Sequence, residues 1–297
     1  MPKTYRNRIF NRSLTTGLVW FVLTIFLSAA ADKPLVLQEM SWPMVKEYLS
    51  HSDMVIIPLG STEQHGPHLP LGTDFFEAFE TCKKISQQTG VIVAPVVMSG
   101  YSVYHSGFPG TLSLKPETMA RVLFETAEIL IKYGFRRFMF FNYHGGNTVA
   151  EQMVIHRINH QTSAKAVQIG IGASYMEESE EAAPFDYHAG IGETSIMLYL
   201  RPDLVDMDKA VKPTITLSPE MEKLAQLQKT HPDLRAIANI SLGVPEETGK
   251  KGASHEISNN GIWSFGDPQK ATREFGRKQV ERAVKGAVAF IKAWQDL

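Results

Sequence analysis

The stretch GSTEQHGPHLPLGTD at 60–74 places Glu63, His65, His68 and Asp74 within fifteen residues. In extended backbone, Glu63 and His65 project to the same side, separated by two rises of about 3.3 Å each. That spacing suits ligands for two adjacent divalent ions better than ligands for one. Asp74 follows a loop bent by Pro and Gly. A folded-back aspartate can bridge two cations through its two oxygens, as binuclear hydrolytic centres with metals ~3.5–4 Å apart require. The competing reading is a hydrogen-bonded loop.

Three further segments carry chemistry-bearing residues. In NYHGGN at 142–147, paired glycines permit close backbone approach and His144 is an additional metal ligand. In HAGIGETS at 188–195, His188 is suited to moving protons. Glu193 is a ligand, orients one, or is only the carboxylate a helix N-terminus favours. In YSVYHSGFPGT at 101–111, the aromatics and His105 suit a pocket wall. Ser102, His105, Tyr143 and Tyr187 are the expected substrate contacts. His156 and His160 have helical i,i+4 spacing, but Arg157 stands where H-E-x-x-H needs its glutamate, so they read as surface or packing residues. His51, His231 and His255 lack evident partners. No G-x-S-x-G or Walker sequence occurs, which leaves serine-hydrolase and nucleotide-dependent chemistry without support.

These loops follow apolar runs. Residues 54–59 (MVIIPL) read as a strand buried on both faces. Strands at 91–96, 135–141 and 166–171 alternate with helices at about 75–88, 116–133 and 148–160. This alternation predicts an α/β fold, a three-layer α/β/α sandwich around a mainly parallel sheet. In such sheets, ligands bind beyond the carboxyl ends of the strands. The loops at 60–74, 99–111 and 142–148 all leave such ends. The polar stretch 206–260 reads as an excursion, and 268–294 as a closing amphipathic helix. Cys82, the only cysteine, is expected to be a small buried apolar residue.

The chain has 297 residues and a formal charge of −1. It opens with Lys3, Arg6, Arg8 and Arg12, an apolar run from Gly17 to Leu27, and Ser28-Ala29-Ala30-Ala31. This pattern predicts a signal peptide over 1–31, an exported domain over 32–297, and a periplasmic or secreted location. The alternative is an uncleaved membrane anchor, the only membrane contact expected. Without 1–31, 26 basic residues face 31 acidic ones, which gives no sign of a nucleic-acid partner.

Taken in order, the motifs at 58–74, 105–111, 142–147, 188–195 and 261–276 resemble the creatininase family of α/β metal-dependent amidohydrolases. The resemblance implies that Glu63, Asp74 and His144 hold one divalent ion (Zn, Mn or Fe), and that His65 and the bridging Asp74 hold a second. It implies His188 as the proton carrier and Glu193 as ligand or base. Homo-oligomers, often hexamers, are implied too. Two departures stand out. A glutamate that binds metal in creatininase is replaced by Gly146, and no tryptophan falls in 174–188, where Tyr175, Phe185 and Tyr187 are the aromatics. The expected substrate is therefore a small cyclic amide, lactam-like ring or formamide rather than creatinine. The alternative is an exported binding protein that keeps the site without turnover.

Overall fold

A computed structural model describes residues 33–171, 186–217, 219–231 and 254–296. The central sheet has four parallel strands in the order β2-β1-β3-β4, comprising β1 Met54–Leu59, β2 Ile92–Val93, β3 Arg137–Asn142 and β4 Lys165–Ile171. β2 is shorter than the run 91–96 suggests. Pro95 lacks the N–H a longer ladder would need.

All six residues of β1 are buried, and their alternation divides the core in two. Val55, Ile57 and Leu59 join Phe138 and Phe140 under α3 (Pro116–Tyr133) and α4 (Thr148–Gln161). Met54 and Ile56 join Met139 and Phe141 under α2 (Thr73–Thr89), α5 (Ile191–Leu200) and α8 (Arg273–Gln295). The result is the three-layer sandwich. Each large apolar side chain sealed in this way contributes roughly 1.5–3 kcal/mol. Cys82 lies in the second core as a free, buried thiol.

Local signals start the helices. Pro116 occupies the first position of α3, where its missing N–H is harmless. The Thr272 hydroxyl caps α8 by accepting from Phe275 N–H at 3.1 Å. α8 therefore begins at Arg273, after a short 3-10 turn over Pro268–Lys270, later than the sequence suggests. α1 (Trp42–Tyr48) precedes the sheet. Part of the 206–260 excursion forms α6 (Pro219–Thr230) and the single turn α7 (Ser254–Ile257). A second, antiparallel sheet pairs β5 (Asp186–His188) with β6 (Trp263–Ser264).

From β1 the chain moves outward to β2, crosses back to β3 on the other side of β1, and continues to β4. The strand order thus reverses between β1 and β3. Crevices form at such switch points. Leu59 and Asn142, the last residues of the two strands, are paired in register, so both loops depart at one level.

The segment 1–32, with the expected signal peptide, lies outside the described residues, as do Tyr175 and Phe185. Among the described residues, no helix is long and apolar enough to cross a membrane.

Candidate metal centre

Gly60 directly follows β1, and a Cβ there would lie 2.5 Å from the backbone C and O of Asp74. Only glycine lets the first turn of α2 close against the strand end. Asp74 is consequently a helical residue, aimed back at Glu63 and His65 from an N-terminus that favours negative charge. Backbone bonds hold the intervening segment, with Glu63 N–H donating to Leu71 O at 2.7 Å and Leu112 N–H to Thr62 O at 2.8 Å. On the β3 side, Tyr143 N–H donates to Leu59 O at 2.9 Å, Asn142 Oδ1 accepts from His144 N–H at 3.0 Å, and Asn147 Nδ2 donates to Gly60 O at 2.9 Å. β5 delivers His188, and the first turn of α5 delivers Glu193.

The four sheet-end residues and the two from β5 and α5 converge. Two groups of ligand atoms, Glu63-Asp74-His144 and His65-Asp74-Glu193, each fall within 4.8 Å and share Asp74. A third, Glu63-His65-His188, overlaps them. Asp74 Oδ1 is 3.1 Å from His65 Nε2, and Asp74 Oδ2 is 2.9 Å from His144 Nδ1. Glu193 Oε2 is 3.7 Å from His65 Nε2, and Glu63 Oε2 is 3.3 Å from His144 Nε2. Ligand bonds of about 2.0–2.2 Å around one tetrahedral ion put neighbouring donor atoms roughly 3.4 Å apart. Glu63 Oε2 and Asp74 Oδ2 are buried, and the side-chain group facing them is the His144 ring, 3.3 and 2.9 Å away. Bare carboxylate oxygens facing imidazoles in a sealed site fit divalent ions.

The proton positions agree. His65 Nδ1–H donates to Glu63 O at 3.1 Å, which leaves Nε2 toward Asp74 and Glu193. His144 Nε2–H donates to Tyr101 O at 2.9 Å, which leaves Nδ1 toward Asp74. Burial opposes charge on both rings, but in the metal-free protein the surrounding carboxylates prevail. Asp74 and Glu193 raise His65 to about 10, and Glu63 and Asp74 raise His144 to about 9. His188 moves the other way. Burial, then His105 and His65, hold it well below its ordinary value, so it is neutral. Its Nε2–H donates to Gln64 O at 2.5 Å, and its open Nδ1 lies 3.6 Å from Glu63 Oε1.

Glu193 combines two of the roles read from sequence. It stands in the first turn of α5 and accepts from Ala189 N–H at 2.5 Å, while the same oxygen faces His65. Burial, with His65 opposing and Asp74 assisting, raises it to about 8. Gly146 has no space for a side chain. A Cβ there would strike Tyr101 O and lie 2.6 Å from His144 Nε2 and 2.7 Å from the Tyr104 hydroxyl.

The expected substrate contacts are spread around this centre. Ser102 is buried with its hydroxyl 3.3 Å from His144 Nε2, and His105 is buried with Nε2 3.2 Å from Glu63 Oε1. Tyr143 packs against Phe141 and the second core. Tyr187 is 40% exposed and stacks on buried Trp263 at 5.7 Å. His68 turns aside to Thr194 Oγ1 at 2.9 Å. His156 and His160 are exposed and stack on each other at 4.2 Å, away from the centre. His255, without an evident partner in sequence, packs against Gly107. The sequence reading missed Gln64 and Asn147, and it placed Tyr104 only among the aromatics of a pocket wall. Their residue types carry no ligand signal, and only position inside the motifs marks them.

The family model for creatininase, described as creatinine amidohydrolase, matches residues 38–291. The chain belongs to the creatininase family. Among curated relatives of this family, the mycofactocin precursor peptide peptidase of Mycolicibacterium smegmatis (strain ATCC 700084 / mc(2)155) is 33% identical over 82% of this chain and 85% of its own. The creatinine amidohydrolase of Pseudomonas putida is 29% identical over 63% and 80%. A 3-dehydro-scyllo-inosose hydrolase from Thermotoga maritima is 32% identical over 59% and 58%. A solved structure named Creatininase Mn superposes with a TM-score of 0.68 at 22% identity, covering 88% of this chain and 98% of the other. The creatininase fold is thus shared. The chain is a creatininase-family amidohydrolase with candidate metal-binding residues.

Proposed function

We propose that this chain hydrolyses the C–N bond of an amide, with two divalent ions held by Glu63, Asp74 and His144 and by His65, Asp74 and Glu193. The observation that carries this reading is the sharing of Asp74 by two ligand groups, with one oxygen of Asp74 and one of Glu63 buried and unpartnered. Divalent ions there supply, when bound, hydroxide at neutral pH and a charge that polarises the amide carbonyl. The names of solved family members, one Creatininase Mn and one of Zn-Zn type, support manganese or zinc.

The proton chemistry belongs to His188. It is neutral and its Nε2–H is committed to Gln64 O, so Nδ1 alone is open toward the site. It accepts the proton given up by the attacking oxygen and returns it to the departing nitrogen. Glu63 Oε1, 3.6 Å away, steadies the transient imidazolium. A protein that only captured metal would have no use for such a group.

The substrate we propose is a small cyclic amide, lactam-like ring or formamide. Tyr187 stacked on Trp263 supports a flat ring near His188. A peptide bond is the second reading, favoured by the identity to a mycofactocin precursor peptide peptidase. The test is hydrolysis by metal-loaded and chelator-stripped protein of creatinine, formamides, lactams and short peptides. Turnover that survives complete metal removal rejects the reading. We also propose an exported homo-oligomer, supported by the N-terminal sequence pattern and the family resemblance respectively. N-terminal sequencing of the exported product and light scattering test these points.

A further inference from the structure

Glu63 presents its two oxygens unequally. Oε2 is bare, whereas Oε1 accepts a hydrogen bond from His105 Nε2 at 3.2 Å. The chain fixes this asymmetry through Gln64. Gly66 N–H donates to Gln64 Oε1 at 3.0 Å, which sets the orientation of the amide. Gln64 Nε2 must then donate, and it does so to Gly261 O at 2.9 Å and His105 Nδ1 at 3.2 Å. A His105 Nδ1 that accepts leaves the ring proton on Nε2, where it meets Glu63.

The ring has no freedom to leave. His105 is 2% exposed, stacks on His188 at 4.1 Å and packs on Tyr104 at 4.6 Å. Thr111 Oγ1 donates to His105 O at 3.1 Å and accepts from Gln64 N–H at 3.1 Å, which ties the two loops together. Both ring nitrogens are engaged with protein, so neither is left for a substrate.

We infer that His105, oriented by Gln64, is a positioning residue that anchors one oxygen of Glu63 and leaves the other bare toward the ion shared with Asp74 and His144. The inference rests on the two-ion reading. It predicts that the two ions respond unequally when His105 changes, because the His65-Asp74-Glu193 group does not include Glu63.

The experiment titrates the full metal-free chain with Mn²⁺ or Zn²⁺ alone, by calorimetry and chelator competition. His105→Phe keeps a stacking ring but removes the donor. One equivalent should bind about 10–100-fold more weakly while the other is unchanged. His105→Gln, which restores an amide donor, should recover part of the loss. Gln64→Met should weaken the same equivalent, and it carries the test if metal-free melting shows that His105→Phe does not fold. A general structural role would lower metal-free melting without separating the two affinities. Unchanged binding in Gln64→Met and in a folded His105→Phe, or equal weakening of both equivalents, overturns the inference alone. A native chain that binds no ion rejects the metal centre and the inference together.

Discussion

His65 Nε2 lies 3.1 Å from Asp74 Oδ1, with both groups sealed from solvent. The other His65 nitrogen already donates to Glu63 O, so a neutral ring would point a lone pair at a carboxylate. Two lone pairs at that distance repel unless a proton or a cation lies between them. The metal-free protein uses a proton, and the centre we propose replaces it with an ion.

A pH dependence of opposite sign in the two states follows. His65 at about 10 and His144 at about 9 are raised above the ordinary imidazole value of about 6.5. Their protons stabilise the metal-free fold fully below about pH 6.5, and this contribution is lost as pH rises through 9 to 10. Metal affinity should move the other way, since each ion displaces a proton. Denaturant melts in chelator should show falling stability across that window. Chelator competition should show at least about tenfold tighter binding at pH 8 than at pH 6.

Asp74 belongs to both ligand groups and Glu193 to one. Asp74→Ala should abolish binding of both ions and all turnover. Glu193→Gln should remove one ion and leave the other. Metal content per chain by elemental analysis separates the two outcomes.

His188→Gln should lower kcat by about 10²–10⁴-fold, the range for a general acid–base group. Bound metal should stay at the native level, because each of the two proposed ligand groups is complete without this residue. Loss of both ions in this variant would instead make His188 a ligand.

Gly146→Ala should destabilise the protein by about 1–3 kcal/mol, since its Cβ meets the carbonyl of Tyr101 and the His144 ring. Gly146→Glu should not add a ligand and should disturb His144. Thermal melting and metal titration of both variants check this.

Much of the architecture was legible from the sequence. Continuous apolar runs marked β1 and β3, and the alternation with helices gave the layering. β2 shrank to two residues because Pro95 interrupts it. The convergence of Glu63, His65, Asp74 and His144 was foreseen from loop positions, and the structure brings them together. Glu193 was open among three roles, because helix-start carboxylates are common and only the 3.7 Å approach to His65 distinguishes this one. The stacking of Trp263 on Tyr187 was not readable, since it depends on pairing between β5 and β6, whose residues lie far apart in the chain.

The sequence by itself determined which groups were available: carboxylates and imidazoles at strand ends, glycines at 60 and 146, and apolar strands to support them. Spacing along the chain carries that information because strand and helix periods are local. Tertiary structure alone decided the division of labour among those groups. Which nitrogen holds a proton, which oxygen is bare and which histidine stays neutral depend on what packs against each from distant segments. Burial and neighbouring charge act through space, and neither is written in the order of the residues.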